Sequence, residues 1–179
     1  MKPKTLGLIV LVVAVAAGLW AAQRYWLSDL PTERGPAQEA GGLMEPVPDL
    51  ALPDASGQLI RLRDFQGKVL VINFWATWCL PCKLEIPFFN QVYNEYRDRG
   101  VEFIAISVDA GGWKDIEAFQ KEVPLAYPVV LADEDAVNAF GGLAGLPVTI
   151  FVDRQGRIVY KHVGITDIDY LRASIQRLL

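Results

Sequence analysis

The residues of this sequence best suited to chemistry are Cys79 and Cys82, the only two cysteines in the chain. Two residues separate them, within a run that reads NFWATWCLPCKLEIP over residues 73–87. Two thiols at this spacing can close a disulfide and open it again by exchange, in which a thiolate is the attacking species. The spacing therefore predicts a redox-active dithiol.

Two other uses of the cysteine pair fit the sequence less well. A stapling disulfide between residues three apart would close almost no loop, so it would add little stability. A structural zinc site needs four ligands, whereas the chain offers two thiols and a single histidine, His162. We predict redox chemistry and no metal site, with His162 at the surface.

The cysteine pair lies where a strand pattern changes to a helix pattern. Residues 69–75 form a nearly continuous apolar run rich in β-branched and aromatic side chains, which is typical of a strand covered on both faces. Beyond the pair, apolar residues recur every four positions and predict the buried face of a helix. They are Leu84, Phe88, Val92 and Tyr96.

The position of each cysteine on that helix predicts its role. Cys79 comes first and faces out from the helix start, where free amides and the helix dipole stabilise a thiolate, so it is the expected nucleophile. Cys82, about one turn further on, is placed to resolve the mixed disulfide. Pro81 suits an early helical position, which requires no amide donor. Because Leu80 and Pro81 supply no cation, we expect a reductant with a potential on the order of −270 to −200 mV.

The same residues resemble a known family. Residues 78–82 read W-C-x-P-C, the motif of the thioredoxin superfamily. Residues 74–87 read F-W-A-T-W-C-x-P-C-x-x-E-x-P, which is similar to its membrane-tethered, extracytoplasmic TlpA/ResA-like branch. The resemblance covers residues 44–179. It implies a thiol-disulfide oxidoreductase that reduces disulfides, in cytochrome c maturation or cytochrome oxidase assembly.

A second motif, GLPVT at residues 145–149, matches the same superfamily. The resemblance implies that Pro147 follows a cis peptide bond and faces the dithiol. A cis bond there would leave the Leu146 backbone free to pair with an extended substrate segment. An ordinary trans proline at a strand start is the alternative that the motif alone leaves open.

Glu85 is the candidate proton acceptor. It follows Cys82 by three residues, one helical turn, and the resemblance implies that a glutamate at this place manages protons. Asn73 stands where thioredoxins have a buried aspartate, and an amide cannot exchange protons. We expect a half-buried Glu85 with a raised pKa that accepts the Cys82 proton during attack on the mixed disulfide. The alternative is a solvated helix glutamate.

Two tryptophans flank the nucleophile. We expect Trp78 to be a partly exposed platform that contacts substrate together with Leu80, Pro81 and Leu146. Trp75 is expected in or near the core. Burial of both tryptophans is the alternative.

Strand and helix patterns alternate along the rest of the chain. Residues 46–62 predict two short strands around a turn, and a capping box at residues 166–169 predicts the start of a final helix. Between them lie strand patterns at residues 101–108, 127–131, 148–152 and 157–162 and helix patterns at residues 113–122 and 133–140. This order predicts an α/β sandwich around a mixed β-sheet. The family resemblance implies that it is a thioredoxin-like fold, with a central mixed β-sheet flanked by helices and an N-terminal β-hairpin extension.

The N-terminal residues predict a membrane anchor and a tether. Residues 1–4 form a basic stub, and residues 5–22 carry no charge and would span about 27 Å as a helix, enough to cross a hydrocarbon core. The lysines of the stub predict a cytoplasmic N-terminus. Residues 23–43 predict a flexible linker before a domain at residues 44–179. A cleaved signal peptide is the alternative to the anchor.

Charge and family resemblance together define the expected partners. A net charge of −4 offers no basic stripe for nucleic acid. The resemblance implies a disulfide-containing exported substrate, with apocytochrome c as one candidate, and a transmembrane thiol reductant of the CcdA or DsbD type. It also implies a single-pass protein of the cytoplasmic membrane, with its catalytic domain in the periplasm or on the outer face. No dissociable cofactor is expected.

Three other functions are alternatives to disulfide reduction. A Sco-type copper chaperone would use a C-x-x-x-C pair and a remote histidine, and the spacing here is one residue short. A peroxiredoxin is disfavoured because its P-x-x-x-T-x-x-C motif is absent. An oxidase that introduces disulfides would use the same dithiol at a higher potential.

Overall fold

The computed structural model describes residues 17–20, 22 and 44–179 of the chain. The predicted anchor lies largely outside these residues, and the predicted linker lies outside them entirely. Residues 17–20 and 22 are helical. Within the described ranges, no helix is both long enough and apolar enough to cross a membrane. The chain separates into two units, Met1–Pro36 and Ala37–Leu179, and everything from residue 44 onward belongs to the second.

A six-stranded mixed sheet forms the centre of the second unit. The strands in chain order are β1 Glu45–Pro46, β2 Ala51–Pro53, β3 Leu59–Arg61, β4 Val69–Trp75, β5 Val101–Ser107, β6 Val129–Leu131, β7 Val148–Val152 and β8 Arg157–Val163. The sheet order is β1-β8-β7-β4-β5-β6, and β2 pairs with β3 in a separate hairpin. Strands β4, β5 and β6 are parallel, whereas β7, β8 and β1 join by antiparallel pairs.

Four α-helices cover this sheet. They are α1 Leu80–Tyr96, α2 Trp113–Gln120, α3 Glu134–Ala139 and α4 Ile168–Gln176. Short 3-10 segments at Leu62–Phe65 and Arg97–Arg99 precede β4 and β5. The expected thioredoxin-like fold and the N-terminal hairpin are confirmed. The short edge strand β1 was not expected from the sequence.

The central strand β4 is buried on both faces, as its apolar run predicts. Val71 and Trp75 pack into one hydrophobic cluster, which includes buried side chains of α1, α2 and α4. Ile72 and Phe74 point to the opposite cluster, which contains Leu52 of the hairpin and Ala136 of α3. Because alternate side chains of a strand face opposite sides, both layers require apolar residues here. The strand thus holds the start of α1 at a fixed edge of the sheet.

The predicted buried face of α1 is wrong in its first half. Val92 and Tyr96 are buried, but the side chains of Leu84 and Phe88 are 56% and 41% exposed. The inward residues are Cys82, Glu85, Ile86, Phe89, Val92 and Tyr96. A four-residue step advances about 40° beyond a full turn, so Leu84 lies about 120° around the helix from Tyr96. The four-residue repeat therefore lies on the buried face at Val92 and Tyr96 but has turned towards solvent at Leu84 and Phe88, nearer the dithiol.

The predicted capping box of the last helix is also corrected. Asp167 is the N-cap of α4, and its side chain accepts hydrogen bonds from the amides of Asp169 and Tyr170. Thr166 is buried, and its amide donates instead to the Glu85 carboxylate. A buried carboxylate acceptor, which the local sequence does not reveal, therefore engages the residue expected to cap the helix.

Candidate active site

The turn between β4 and α1 places Cys79 at the start of the helix. The Cys79 amide donates to the carbonyl of Ala76 at 3.1 Å, which closes a turn over residues 76–79. Cys79 is the N-cap residue, and its Sγ accepts a hydrogen bond from the Cys82 amide at 3.2 Å. Pro81 lies in the first turn of α1, as predicted. The first turn of α1 therefore directs the Cys82 amide at the sulfur of Cys79.

The two cysteines form a disulfide. The S–S distance is 2.03 Å and the Cα atoms are 5.3 Å apart. Cys79 is 5% exposed and Cys82 is completely buried. Cys79 is therefore the sulfur that an incoming thiolate can reach, which agrees with the predicted order of attack. It is nevertheless more enclosed than a residue facing out into solvent.

A surface groove opens beside Cys79. Its lining is largely apolar and brings the predicted substrate contact Leu146 next to three others from the start of α1, Trp78, Leu80 and Pro81. The lining residues are Trp78, Cys79, Leu80, Pro81, Val108, Leu143, Gly145 and Leu146. None of these lining side chains carries a charge. The groove is therefore suited to an apolar polypeptide segment that flanks a disulfide.

The Leu146–Pro147 peptide bond is cis, as the family resemblance implied. Pro147 is buried directly before β7, and its carbonyl accepts a hydrogen bond from the Gly164 amide at 2.8 Å. Leu146 is half-buried and lines the groove next to the dithiol. Its predicted backbone pairing with substrate and the catalytic role of Pro147 stay predictions.

Glu85 lies one helical turn after Cys82 on the same buried face of α1. It is 1% exposed, so it is more deeply buried than expected. Asn73 Nδ2 donates to Glu85 Oε1 at 2.7 Å, and the Thr166 amide donates to Oε2 at 3.1 Å. Asn73 also lies 3.4 Å from Thr149 Oγ1, which is hydrogen-bonded to Thr166 Oγ1 at 3.1 Å. A closed polar network thus holds the carboxylate inside an otherwise apolar core.

Burial raises the pKa of Glu85 from 4.5 to about 7, and the hydrogen bonds from Thr166 and Asn73 partly oppose that rise. The predicted rise in the pKa of Glu85 is confirmed. Burial also raises the pKa of Tyr127, and the charge of Glu85 adds to this effect. Near neutral pH, Glu85 can therefore both take up and release a proton, as an acid-base catalyst must.

The two tryptophans divide as predicted. Trp75 is completely buried, with its ring centroid 5.3 Å from that of Phe119, whereas Trp78 is 69% exposed at the groove. His162 is half-buried, not fully at the surface, and its Nε2 lies 3.1 Å from the carbonyl oxygen of Ile165. Among residues 17–20, 22 and 44–179, no cluster of three or more His, Cys, Asp or Glu side chains could hold a metal.

Sequence reasoning missed the partners that hold this site together. Thr149 and Thr166 complete the network around Glu85, and Asp109 accepts hydrogen bonds from Thr77 just before the dithiol. The one available signal was Thr149, which is the last residue of the GLPVT motif. In the structure it pairs with Asn73 in the β4–β7 register. No local pattern marked Thr166 or Asp109 as part of the site.

Comparisons with known proteins agree with this geometry. Residues 43–161 match the model of the AhpC/TSA family. The thiol-disulfide oxidoreductase ResA of Bacillus cereus (strain ZK / E33L) is 31% identical over 132 residues, which cover 74% of this chain and 76% of that protein. ResA of Bacillus thuringiensis subsp. konkukian (strain 97-27) is 28% identical over 171 residues, 96% of this chain and 93% of that protein.

A solved structure is similar over the same region. The match is a thiol:disulfide interchange protein of Chlorobium tepidum TLS, described as a thioredoxin family protein. It superimposes with a TM-score of 0.70 at 27% sequence identity, covering 78% of this chain and 99% of that one.

Proposed function

The chain belongs to the AhpC/TSA family and is a thiol-disulfide oxidoreductase of the ResA type, and on this basis we propose that it reduces disulfides in exported polypeptides. The family resemblance that the W-C-x-P-C motif indicated is confirmed. The observation that carries the proposal is the disulfide at the N-terminus of α1, which lies between an apolar groove and the buried Glu85.

Reduction proceeds by two exchanges at the dithiol. The Cys79 thiolate attacks one sulfur of the substrate disulfide, an S–S bond forms between the two proteins, and the other substrate sulfur leaves as a thiolate. Cys82 then attacks the Cys79 sulfur, loses its proton, and releases the second substrate thiol. The protein ends with the Cys79–Cys82 disulfide, and two electrons have passed to the substrate.

Glu85 is the proposed acceptor of the Cys82 proton. Cys82 is completely buried, so bulk water does not reach its thiol directly. Glu85 is buried one turn away with a pKa of about 7, which matches the conditions under which the thiol must ionise. The hydrogen bonds from Asn73 and Thr166 fix the carboxylate in place.

The apolar surface around the groove indicates the substrate class. Trp78 and Leu80 are 69% and 66% exposed, and Leu84 and Phe88 extend this surface along the outer side of α1. Large apolar side chains next to a reactive sulfur favour an unfolded or extended polypeptide over a small polar disulfide. The proposed substrates are therefore unfolded exported polypeptides, with apocytochrome c and an oxidase assembly factor as candidates.

Replacing Trp78 tests this substrate class. We expect Trp78→Ser to lower kcat/KM for an oxidised peptide with apolar flanks by about tenfold, because an exposed aromatic anchor is lost without disturbing the core. The rate with glutathione disulfide should change less than about twofold, since a small polar disulfide gains little from such an anchor. Stopped-flow tryptophan fluorescence, or chromatography of the peptide thiols, measures both rates.

Leu59→Ser is the matched control. Leu59 is 52% exposed on the β2–β3 hairpin and does not line the groove. This variant should react with both substrates at the parental rates. Equal slowing of Trp78→Ser on peptide and glutathione disulfide would show that Trp78 acts on Cys79 chemistry and not on substrate docking.

The proposal includes an extracytoplasmic location and a membrane donor. It is supported by the uncharged run at residues 5–22 and by the need to reduce the dithiol again in an oxidising compartment. A transmembrane thiol reductant of the CcdA or DsbD type would regenerate the dithiol. Recovery of the chain in the soluble fraction, with its thiols protected from an impermeant reagent in intact cells, would overturn this part.

Two other activities are distinguished by simple measurements. An oxidase would insert disulfides into a reduced peptide faster than the protein reduces an oxidised one. A Sco-type copper chaperone would bind Cu(I) tightly in its reduced form and lose that binding in His162→Ala. His162 already contacts the Ile165 carbonyl, and its ring lies tilted against that of Tyr170 with centroids 5.1 Å apart, which favours a packing role.

A further inference from the structure

A buried carboxylate outside the dithiol itself holds the turn that carries Cys79. Asp109 follows β5 and is 5% exposed. Its Oδ1 accepts a hydrogen bond from the Thr77 hydroxyl at 2.6 Å, and the Thr77 amide lies 3.1 Å from Oδ1 and 3.0 Å from Oδ2. The residue two positions before Cys79 is therefore fixed through both its backbone and its side chain.

The carboxylate of Asp109 is itself held in place by Ser107. Ser107, which is completely buried at the end of β5, donates its hydroxyl hydrogen to Asp109 Oδ2 at 2.7 Å. The Asp109 amide donates back to Ser107 Oγ at 3.1 Å. Ser107 pairs with Trp75 in the parallel register of β4 and β5. The hydrogen bonds among Thr77, Asp109 and Ser107 form a clamp, which connects the ends of the two central strands β4 and β5.

We propose that Asp109 is a positioning residue for thiol-disulfide exchange, which acts through Thr77 to fix the turn that presents Cys79 at the helix N-terminus. Thr77 and Trp78 are the two central residues of the turn that the Cys79 amide closes onto Ala76. Fixing this turn orients the Cys79 sulfur towards the Cys82 amide in the first turn of α1. It also holds the Trp78 side chain over the groove.

Stabilisation of the Cys79 thiolate depends closely on where its sulfur lies at the helix N-cap. The thiolate of Cys79 is stabilised only while its sulfur lies near the amides of the first turn, such as that of Cys82 at 3.2 Å. A hydrogen bond to a carboxylate is stronger than one to a neutral acceptor, so losing the Thr77 hydroxyl should loosen the turn that positions Cys79. The inference rests on the dithiol activity alone and not on the proposed substrate.

Thr77→Val tests the clamp without changing any charge. The substitution keeps the branched shape of the side chain and removes only the hydroxyl that donates to Asp109. In the full-length reduced protein carrying Cys82→Ser, we expect Cys79 to react with iodoacetamide at pH 7 about tenfold more slowly than in the parent. Thr77→Ser, which restores a hydroxyl, should recover the parental rate to within about twofold. Asp109→Asn should slow the reaction as Thr77→Val does.

Asp153→Asn separates positioning from general destabilisation. Asp153 also accepts hydrogen bonds from two backbone amides, those of Gln155 and Arg157, and pairs with the Arg157 guanidinium, but it lies in the β7–β8 turn. This control should lower the melting temperature without changing the alkylation rate. The proposal fails if Thr77→Val and Asp109→Asn alkylate at the parental rate, or if Asp153→Asn slows alkylation as much. Should Asp109→Asn not fold, the two Thr77 variants decide.

Discussion

Replacing Cys79 with serine should abolish disulfide reduction, with a loss of at least about a thousandfold in rate, or about 4 kcal/mol. A serine hydroxyl does not ionise near neutral pH and does not exchange with a disulfide. The fold should survive because serine is a favourable N-cap residue and can accept the amide hydrogen bond that Cys79 Sγ accepts now. The rate of reduction of an oxidised peptide measures the effect.

Cys82→Ser is the companion variant and should fail at a different step. Cys79 still attacks, but no second thiol resolves the intermediate, so a mixed disulfide with the peptide should accumulate. Mass spectrometry under non-reducing conditions detects that adduct. Accumulation of the adduct in Cys79→Ser instead would reverse the assigned roles of the two cysteines.

Replacing Glu85 with glutamine should remove a pH dependence of stability. The folded-state pKa of Glu85 is raised from 4.5 to about 7, so the folded protein holds this proton more tightly than the unfolded chain does. The stability associated with that proton is fully present below pH 4.5 and is lost as pH rises towards 7 and above. At 1.36 kcal/mol per pH unit, a rise of the pKa from 4.5 to about 7 corresponds to about 3 kcal/mol.

Glutamine is neutral at every pH, so the variant should avoid this loss. Its carbonyl can accept from the Thr166 amide, and its amide can donate to Asn73 if that side chain rotates to present its oxygen. We therefore expect Glu85→Gln to be more stable than the parent at pH 8 by up to about 3 kcal/mol, and close to the parent at pH 5. Urea unfolding at both pH values measures the difference in the free energy of unfolding.

The exposed carboxyl of Glu95 provides an internal control, because its effect on stability falls in a different pH range. Glu95 accepts hydrogen bonds from Arg172, which lower its pKa, so its contribution is lost only as pH falls below 4.5. Parallel stability profiles of parent and variant between pH 5 and 8 would show that Glu85 is not the titrating group.

The Glu85→Gln variant should also release substrate from the Cys79 mixed disulfide more slowly, by about a hundredfold if Glu85 acts as a general base.

The sequence was most informative where the chemistry is local. The dithiol spacing, the strand at residues 69–75, the helix start at Cys79 and the cis bond before Pro147 depend on neighbouring residues or on one known motif. Each of these expectations agrees with the structure. The inward direction of Glu85 also followed from a single helical turn after Cys82.

The remaining features depend on contacts between distant parts of the chain. Glu85 and Thr166 are separated by 81 positions, and Thr77 and Asp109 by 32, so no local pattern connects them. The exposure of Leu84 and Phe88 was missed for a different reason. A repeat of four residues drifts around a helix of 3.6 residues per turn, and only the packing of α1 on the sheet shows which part of it is buried.

The midpoint redox potential of the Cys79–Cys82 couple tests the central claim most directly. It can be measured by titration in glutathione buffers, with Trp78 and Trp75 as fluorescent reporters beside the dithiol. We predict a value below about −200 mV, because no cation between the cysteines stabilises the thiolate, and such a protein donates electrons to its substrate. A value near about −120 mV would instead identify a disulfide-introducing oxidase and contradict the proposed direction.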